Sequence, residues 1–237
     1  MKNLSFLKNI NIAHKGIYDN DKIPENSIKA FELAIKKQIP IELDIHITKD
    51  NKIVVFHDNN LFRMTGVNKE IKKCTYKELL KLNLLNTTYS IPTLDEILNL
   101  INGKVLLDIE IKNDNRPKDI CNILIKKLEN YKGKFVIKSF YPNIIYWLKI
   151  NKPEYVRGIL IPIHYKQKLL KLLKNKTNIL IYTKPDFICS NKNLVKTKFI
   201  IKQRKKGKPI IAWTINNEKE KEKIKNYVDS YISNIKP

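Results

Sequence analysis

Short apolar runs alternate with helical patterns along almost the whole chain. Runs rich in Ile, Leu and Val at 10–15, 40–48, 104–112, 134–140, 156–161, 178–183, 209–216 and 229–234 are short for helices and read as buried strands. Between them the apolar residues recur three and four apart. "SIKAFELAIKK" puts Ile28, Phe31, Leu33, Ala34 and Ile35 on one broad face, with Asn26 or Ser27 placed to cap it. "LDEILNLIN", "DICNILIKKLENY", "NIIYWLKI", "KQKLLKLLK" and "EKEKEKIKNYV" read as further helices. Eight such units in about 250 residues predict an α/β fold, the parallel TIM (β/α)8 barrel. Segment 58–92 breaks the alternation and reads as a small insertion after the second strand of a single domain spanning 1–237.

The stretch "IELDIHITKDNKIVVFHD" departs from a plain buried strand. Strand side chains alternate, so Glu42 and Asp44 share one face, and buried carboxylates are costly unless something cationic sits between them. A turn at Asp50-Asn51 returns the chain along "KIVVFHD". A two-residue turn there sets Thr48 opposite Ile53, Ile45 opposite Phe56 and Asp44 opposite His57. His46 shares the parity of Glu42 and Asp44, but it approaches the hairpin tip and is expected in solvent.

In a parallel barrel the carboxyl ends of the strands carry the site. The first strand ends in His14, Lys15 and Gly16; the second supplies Glu42 and Asp44; its hairpin supplies His57 and Asp58; "VLLDIEIK" supplies Asp108, Glu110 and Lys112 on one face. An oxygen-rich set such as Glu42, Asp44 and Glu110 suits a hard divalent ion, Mg²⁺ or Ca²⁺, better than zinc. Two histidines beside it can act as general base and general acid. A polar rim neutralised by lysines is the structural alternative. Asp58 and Asp108 stand where they can orient a histidine or the ligand set. Glu25 and Asn26 fix the first loop and the helix cap, with a substrate contact open to Glu25, and His164 follows a strand at the functional end, where solvent and a substrate head group are both open to it.

Composition adds less. Lys and Arg number 46 against 23 Asp and Glu, a formal charge of +23, which favours anionic partners. The lysines are spread over the whole length rather than gathered with aromatics, unlike a nucleic-acid footprint. Cys74, Cys121 and Cys189 are odd in number and far apart, which excludes a disulfide framework or a Cys-x-x-Cys zinc site. No signal-peptide core or membrane span is evident, and the expectation is a soluble cytoplasmic protein.

The series "AHKG", "IPENSIKAFELAI", "ELDIHITKDNKIVVFHDNNLFRMTG", "IPTLDEIL", "DIEIK", "SF" and "AWTIN" resembles the glycerophosphodiester phosphodiesterase family, densely over 12–112 and more thinly afterwards. The resemblance implies a TIM barrel with a small insertion and a divalent-metal hydrolase that splits glycerophosphodiesters into glycerol 3-phosphate and an alcohol. It implies His14 and His57 as the catalytic pair and Glu42, Asp44 and Glu110 as ligands of Mg²⁺ or Ca²⁺. It also implies Lys112 at the phosphate and Trp213 lining the substrate pocket. The family's His-Arg-Gly is His14-Lys15-Gly16 here, so a point charge replaces a planar fork at a phosphate-binding position. The tail "SNIKP" resembles the family's closing Asp-x-Pro only faintly. Rival readings are a lysophospholipase D-like enzyme touching an anionic membrane, and a non-catalytic barrel that binds phosphoryl ligands or nucleic acid.

Overall fold

Most strand residues are buried, as a parallel sheet covered by helices requires, and β2, β3, β4 and β6 are buried throughout. A computed structural model describes residues 2–112, 115–163 and 176–237. Its strands are β1 (Asn11–Ile17), β2 (Ile41–Ile47), β3 (Ile53–Val55), β4 (Leu107–Ile111), β5 (Phe135–Ser139), β6 (Arg157–Ile161), β7 (Phe187–Asn191), β8 (Ile210–Ile215) and β9 (Ser230–Ile235). They follow the order β1-β9-β8-β7-β6-β5-β4-β2-β3, with β1 also paired to β2. Without β3, which runs antiparallel to β2, this is the strand order of the (β/α)8 barrel. Two compact units divide the chain: 13–135 with 234–237, and 1–12 with 136–233.

The first unit holds α1 (Ile28–Lys36), α2 (Phe62–Thr65), α3 (Tyr76–Leu79), α4 (Leu94–Ile101) and α5 (Pro117–Leu128). Ser27 caps α1 by accepting a hydrogen bond from Ala30 N, and Thr93 with Glu96 forms a reciprocal capping box on α4. Segment 58–92 carries α2 and α3 and packs its own cluster on β3, with Leu61, Met64, Ile71, Leu79 and Leu84 buried against Val54 and Phe56.

The second unit holds α6 (Pro142–Asn151), α7 (Lys176–Thr183), α8 (Lys198–Lys205) and α9 (Glu218–Glu222). Here the sixth strand expected at 178–183 is wrong: that segment is α7, and the strand is β7, "FICSN". A short apolar run does not separate the two states, but burial does. Ile179 and Thr183, four apart, are buried while Ile181 and Tyr182 between them are exposed, a helical spacing. Tyr182 stacks on Tyr146 of α6 at 4.0 Å between ring centroids. The helix expected over "KQKLLKLLK" and the residue His164 lie outside the described residues. Among the described residues no helix is long and apolar enough to cross a membrane.

Candidate active site

The carboxyl end of β1 turns sharply. Lys15 and Gly16 both have positive φ, 59° and 84°. A Cβ on Gly16 would lie 2.8–2.9 Å from Ala30 atoms of α1, so glycine lets the helix close on the strand. The turn aims the Lys15 backbone N–H at Glu42 Oε2, 3.0 Å away, and sends the Lys15 ammonium to Glu25 Oε1 at 2.9 Å. His14 is in register with Glu42 across the parallel β1–β2 pair. Its Nδ1 lies 2.7 Å from Asn234 Oδ1, which also accepts from the Tyr18 hydroxyl. Burial lowers the His14 pKa, partly offset by the charge of Glu42.

Glu42, Asp44 and Glu110 are all buried, and each offers an oxygen within 4.8 Å of the others. The register explains the meeting: Glu42 pairs with Asp108 and Asp44 with Glu110 across β2 and β4, so the alternate residues share a face. Asn26, itself at positive φ, donates from Nδ2 to Asp44 Oδ2 at 3.0 Å. Lys112 Nζ lies 2.8 Å from Asp44 Oδ1 and also touches Glu110 Oε1. Burial pushes the Asp44 carboxyl up, but the charges of Lys112, His57 and Lys15 outweigh it and hold it well below the usual carboxylate range. The Lys112 ammonium is held above its ordinary value despite burial, because Asp44 and Glu110 face it. One ammonium among three buried carboxylates, all oxygen donors, is a donor set that fits a hard divalent cation.

The hairpin register differs from expectation by one residue. Ile45 pairs with Val55 and Ile47 with Ile53, so Asp44 is not opposite His57; its carbonyl accepts from Phe56 N. The cause is the turn: Asn51 stands at φ 61°, Asn51 N bonds Thr48 O and Thr48 N bonds Lys52 O, making a three-residue loop of 49–51. His57 lies beyond the end of β3, where the strand alternation no longer applies. His46 is also corrected: it is 0% exposed, and its Nε2 lies 3.3 Å from the His57 carbonyl. Every residue of β2 is buried, so nearness to the hairpin tip does not bring solvent.

His57 Nδ1 lies 2.6 Å from Asp58 Oδ1. Asp58 in turn accepts from Arg63, Nε to Oδ2 at 2.6 Å and Nη2 to Oδ1 at 3.2 Å. Arg63 also grips Glu25, Nη2 to Oε1 at 2.6 Å and Nη1 to Oε2 at 3.2 Å. Burial raises both carboxyls, but Arg63, with His57 on Asp58 and Lys15 and Asn20 on Glu25, brings each down to about 2. The sequence reading missed Arg63, Asn26's bond to Asp44 and Asn234's bond to His14. The available signal was the quoted segments themselves, "PEN" and "HDNNLFRMTG".

Trp213 belongs to the second unit, where its ring meets Phe140 edge-on at 5.5 Å. Its Nε1 is buried with no hydrogen-bond partner among the described residues. Cys74, Cys121 and Cys189 are free and buried.

A model of the glycerophosphoryl diester phosphodiesterase family matches residues 14–234. The glycerophosphodiester phosphodiesterase of Caldanaerobacter subterraneus subsp. tengcongensis is 30% identical over 239 residues, covering 96% of this chain and 94% of that protein. A phosphodiesterase of Oleispira antarctica, solved in complex with the product sn-glycerol-3-phosphate, is 22% identical with a TM-score of 0.83, covering 97% of this chain and 94% of its own. The glycerophosphodiester phosphodiesterase of Thermotoga maritima is 25% identical with a TM-score of 0.77, covering 95% and 94%. Fold, family match and full-length relatives agree with the resemblance read from the motifs. The chain belongs to the glycerophosphoryl diester phosphodiesterase family and is a phosphoric diester hydrolase.

Proposed function

We propose that this enzyme hydrolyses glycerophosphodiesters to glycerol 3-phosphate and an alcohol, with His14 and His57 exchanging the protons and Glu42, Asp44 and Glu110 holding Mg²⁺ or Ca²⁺. The observation that carries this reading is the buried three-carboxylate group, whose oxygens lie within 4.8 Å of one another. When bound, a divalent ion would supply Lewis-acid stabilisation of charge developing on the phosphoryl oxygens. Each histidine has its Nδ1 engaged, His14 by Asn234 and His57 by Asp58, which leaves Nε2 of each ring for proton transfer. One ring, neutral with a bare Nε2, takes the proton of the attacking oxygen, and the other, as imidazolium, gives its Nε2 proton to the leaving alkoxide, so the pair ends with the two protonation states exchanged. Lys112 and Lys15 supply positive charge for the phosphate. Trp213 is assigned to the substrate on the resemblance alone; its indole N–H is buried with no hydrogen-bond partner among the described residues. Glu25 acts at one remove from the substrate: its two oxygens are taken by Lys15, Asn20 and Arg63.

The second reading is phospholipase D-like cleavage of lysophospholipids at an anionic membrane. It is favoured by exposed Phe62, Val67 and Leu80 on the insertion, in a segment that also carries Lys69, Lys72, Lys73, Lys77 and Lys81. Alcohol release from a panel of soluble glycerophosphodiesters and lysophospholipids, with and without Mg²⁺ or Ca²⁺, separates the two. Turnover of the soluble diesters alone supports the first reading, and turnover confined to lysophospholipids the second. Silence across the panel together with salt-sensitive nucleic-acid binding would replace both with a binding role.

A further inference from the structure

We propose that Arg63 is a positioning residue for catalysis, holding Asp58 against His57 Nδ1 and tying that pair to the Lys15–Glu25 pair. The proposal rests on the reading of His57 as a proton-transfer residue. Its geometric basis is one guanidinium plane used on two edges. The Nε/Nη2 edge takes both oxygens of Asp58, and the Nη1/Nη2 edge takes both oxygens of Glu25. The result is an unbroken alternation of charge, Lys15 to Glu25 to Arg63 to Asp58 to His57, with closest contacts of 2.9, 2.6, 2.6 and 2.6 Å.

An ordinary surface ion pair carries little weight, because solvent and salt screen it and ordering two long side chains opposes it. This one differs in its partners. The Arg63 side chain is 45% exposed, but Glu25 is only 5% exposed and the grip on each carboxylate is two-pronged. Bidentate geometry fixes a plane as well as a distance, which a lysine ammonium cannot do. Asp58 sits next to His57 in sequence, on irregular backbone past β3, so local structure alone does not lock its rotamer. Arg63 does so from outside that loop. It rides on α2, whose Met64 is buried in the insertion's own cluster and whose first N–H, of Phe62, is accepted by Asn60 Oδ1. The insertion thereby acquires a task in the reaction: it anchors the residue that sets the His57 ring.

A carboxylate on Nδ1 selects the tautomer that carries its proton there and leaves Nε2 unprotonated in the neutral ring. Loss of Arg63 should therefore lower turnover more than substrate binding. The test uses this chain and its variants Arg63→Met, Arg63→Lys and Asp58→Asn, with kinetics on glycerophosphocholine in saturating Mg²⁺ or Ca²⁺. Imidazole ¹⁵N spectra of the metal-free protein supply a readout independent of turnover. Arg63→Met should lower kcat about 10–100-fold, the scale of losing such an outer partner, with little change in KM. His57 should pass from one Nδ1–H tautomer to a mixture. Arg63→Lys should fall between, and Arg63→Met with Asp58→Asn should cost no more than the worse single change. If Arg63→Met does not fold, Arg63→Lys and Asp58→Asn carry the same two readouts. An unaltered His57 tautomer in Arg63→Met or Arg63→Lys, or an unaltered kcat, overturns the proposal. His57→Ala distinguishes the failures: wild-type kcat there sinks the reading of His57 itself, whereas a dead His57→Ala beside an unaffected Arg63→Met sinks only the role of Arg63.

Discussion

Lys112→Met isolates the electrostatics of the acidic cluster without touching its carboxylates. Methionine keeps an unbranched chain of similar length and removes only the ammonium. That ammonium lies 2.8 Å from Asp44 Oδ1 and also touches Glu110, with Lys112 13% exposed and Asp44 1% exposed. Removing one partner of a buried ion pair costs about 3–5 kcal/mol, because the remaining charge stays buried without compensation. In a chain of this size each kcal/mol moves the melting temperature by roughly 2–4 °C, so metal-free Lys112→Met should melt roughly 6–20 °C below wild type at pH 7. A divalent ion should then recover part of the deficit. It no longer competes with the ammonium for Asp44 and Glu110, and at a hundred times its Kd it adds about 2.7 kcal/mol. Scanning calorimetry in chelator and in Mg²⁺ or Ca²⁺ measures both effects. A variant that melts within about 2 °C of wild type in chelator, and gains no more from metal than wild type does, would refute the claim that Lys112 is the counter-charge of the cluster.

His14→Ala and His57→Ala should each lower kcat by about 100-fold or more, with the double variant far short of the product of the two; steady-state kinetics on glycerophosphocholine decide it, and near wild-type kcat removes that histidine from the chemistry. Lys15→Ala should lower kcat/KM by about 1.5–3 kcal/mol of transition-state binding while Lys15→Arg preserves it; an unaffected Lys15→Ala would show that the lysine serves only Glu25. Glu25 gives the pH dependence: its folded-state pKa of about 2 lies below the ordinary 4.5. Its contribution is therefore present above pH 4.5 and lost as pH falls through about 2, on the order of 3 kcal/mol. Urea midpoints of Glu25→Gln should fall below wild type at pH 7 and converge with it at pH 2, and parallel curves would contradict this.

The barrel and the metal-type cluster were legible because both follow from short-range rules. Strand alternation puts Glu42 with Asp44 and Asp108 with Glu110 whatever surrounds them, and the β2–β4 register then joins the two sets. What failed depends on details that alternation does not carry. The run 178–183 was apolar enough for a strand, and only the burial of Ile179 with Thr183 marks it as helical. One residue more in the turn at Asn51 shifted the whole hairpin register. His46 is buried with every other residue of β2, which its position near the hairpin tip does not reveal. Arg63 and Asn234 act across 38 and 220 residues of sequence, distances at which single-chain patterns say nothing about contact.

The most direct measurement is glycerol 3-phosphate released from glycerophosphocholine by the wild-type chain and by Glu110→Gln, each stripped with chelator and then resupplied with Mg²⁺ or Ca²⁺. Wild type should be silent in chelator and recover on resupply, while Glu110→Gln should stay at least about 100-fold lower with metal present. Full turnover in chelator, or a Glu110→Gln enzyme as active as wild type, would contradict the assignment of a divalent-cation hydrolase to the Glu42–Asp44–Glu110 cluster.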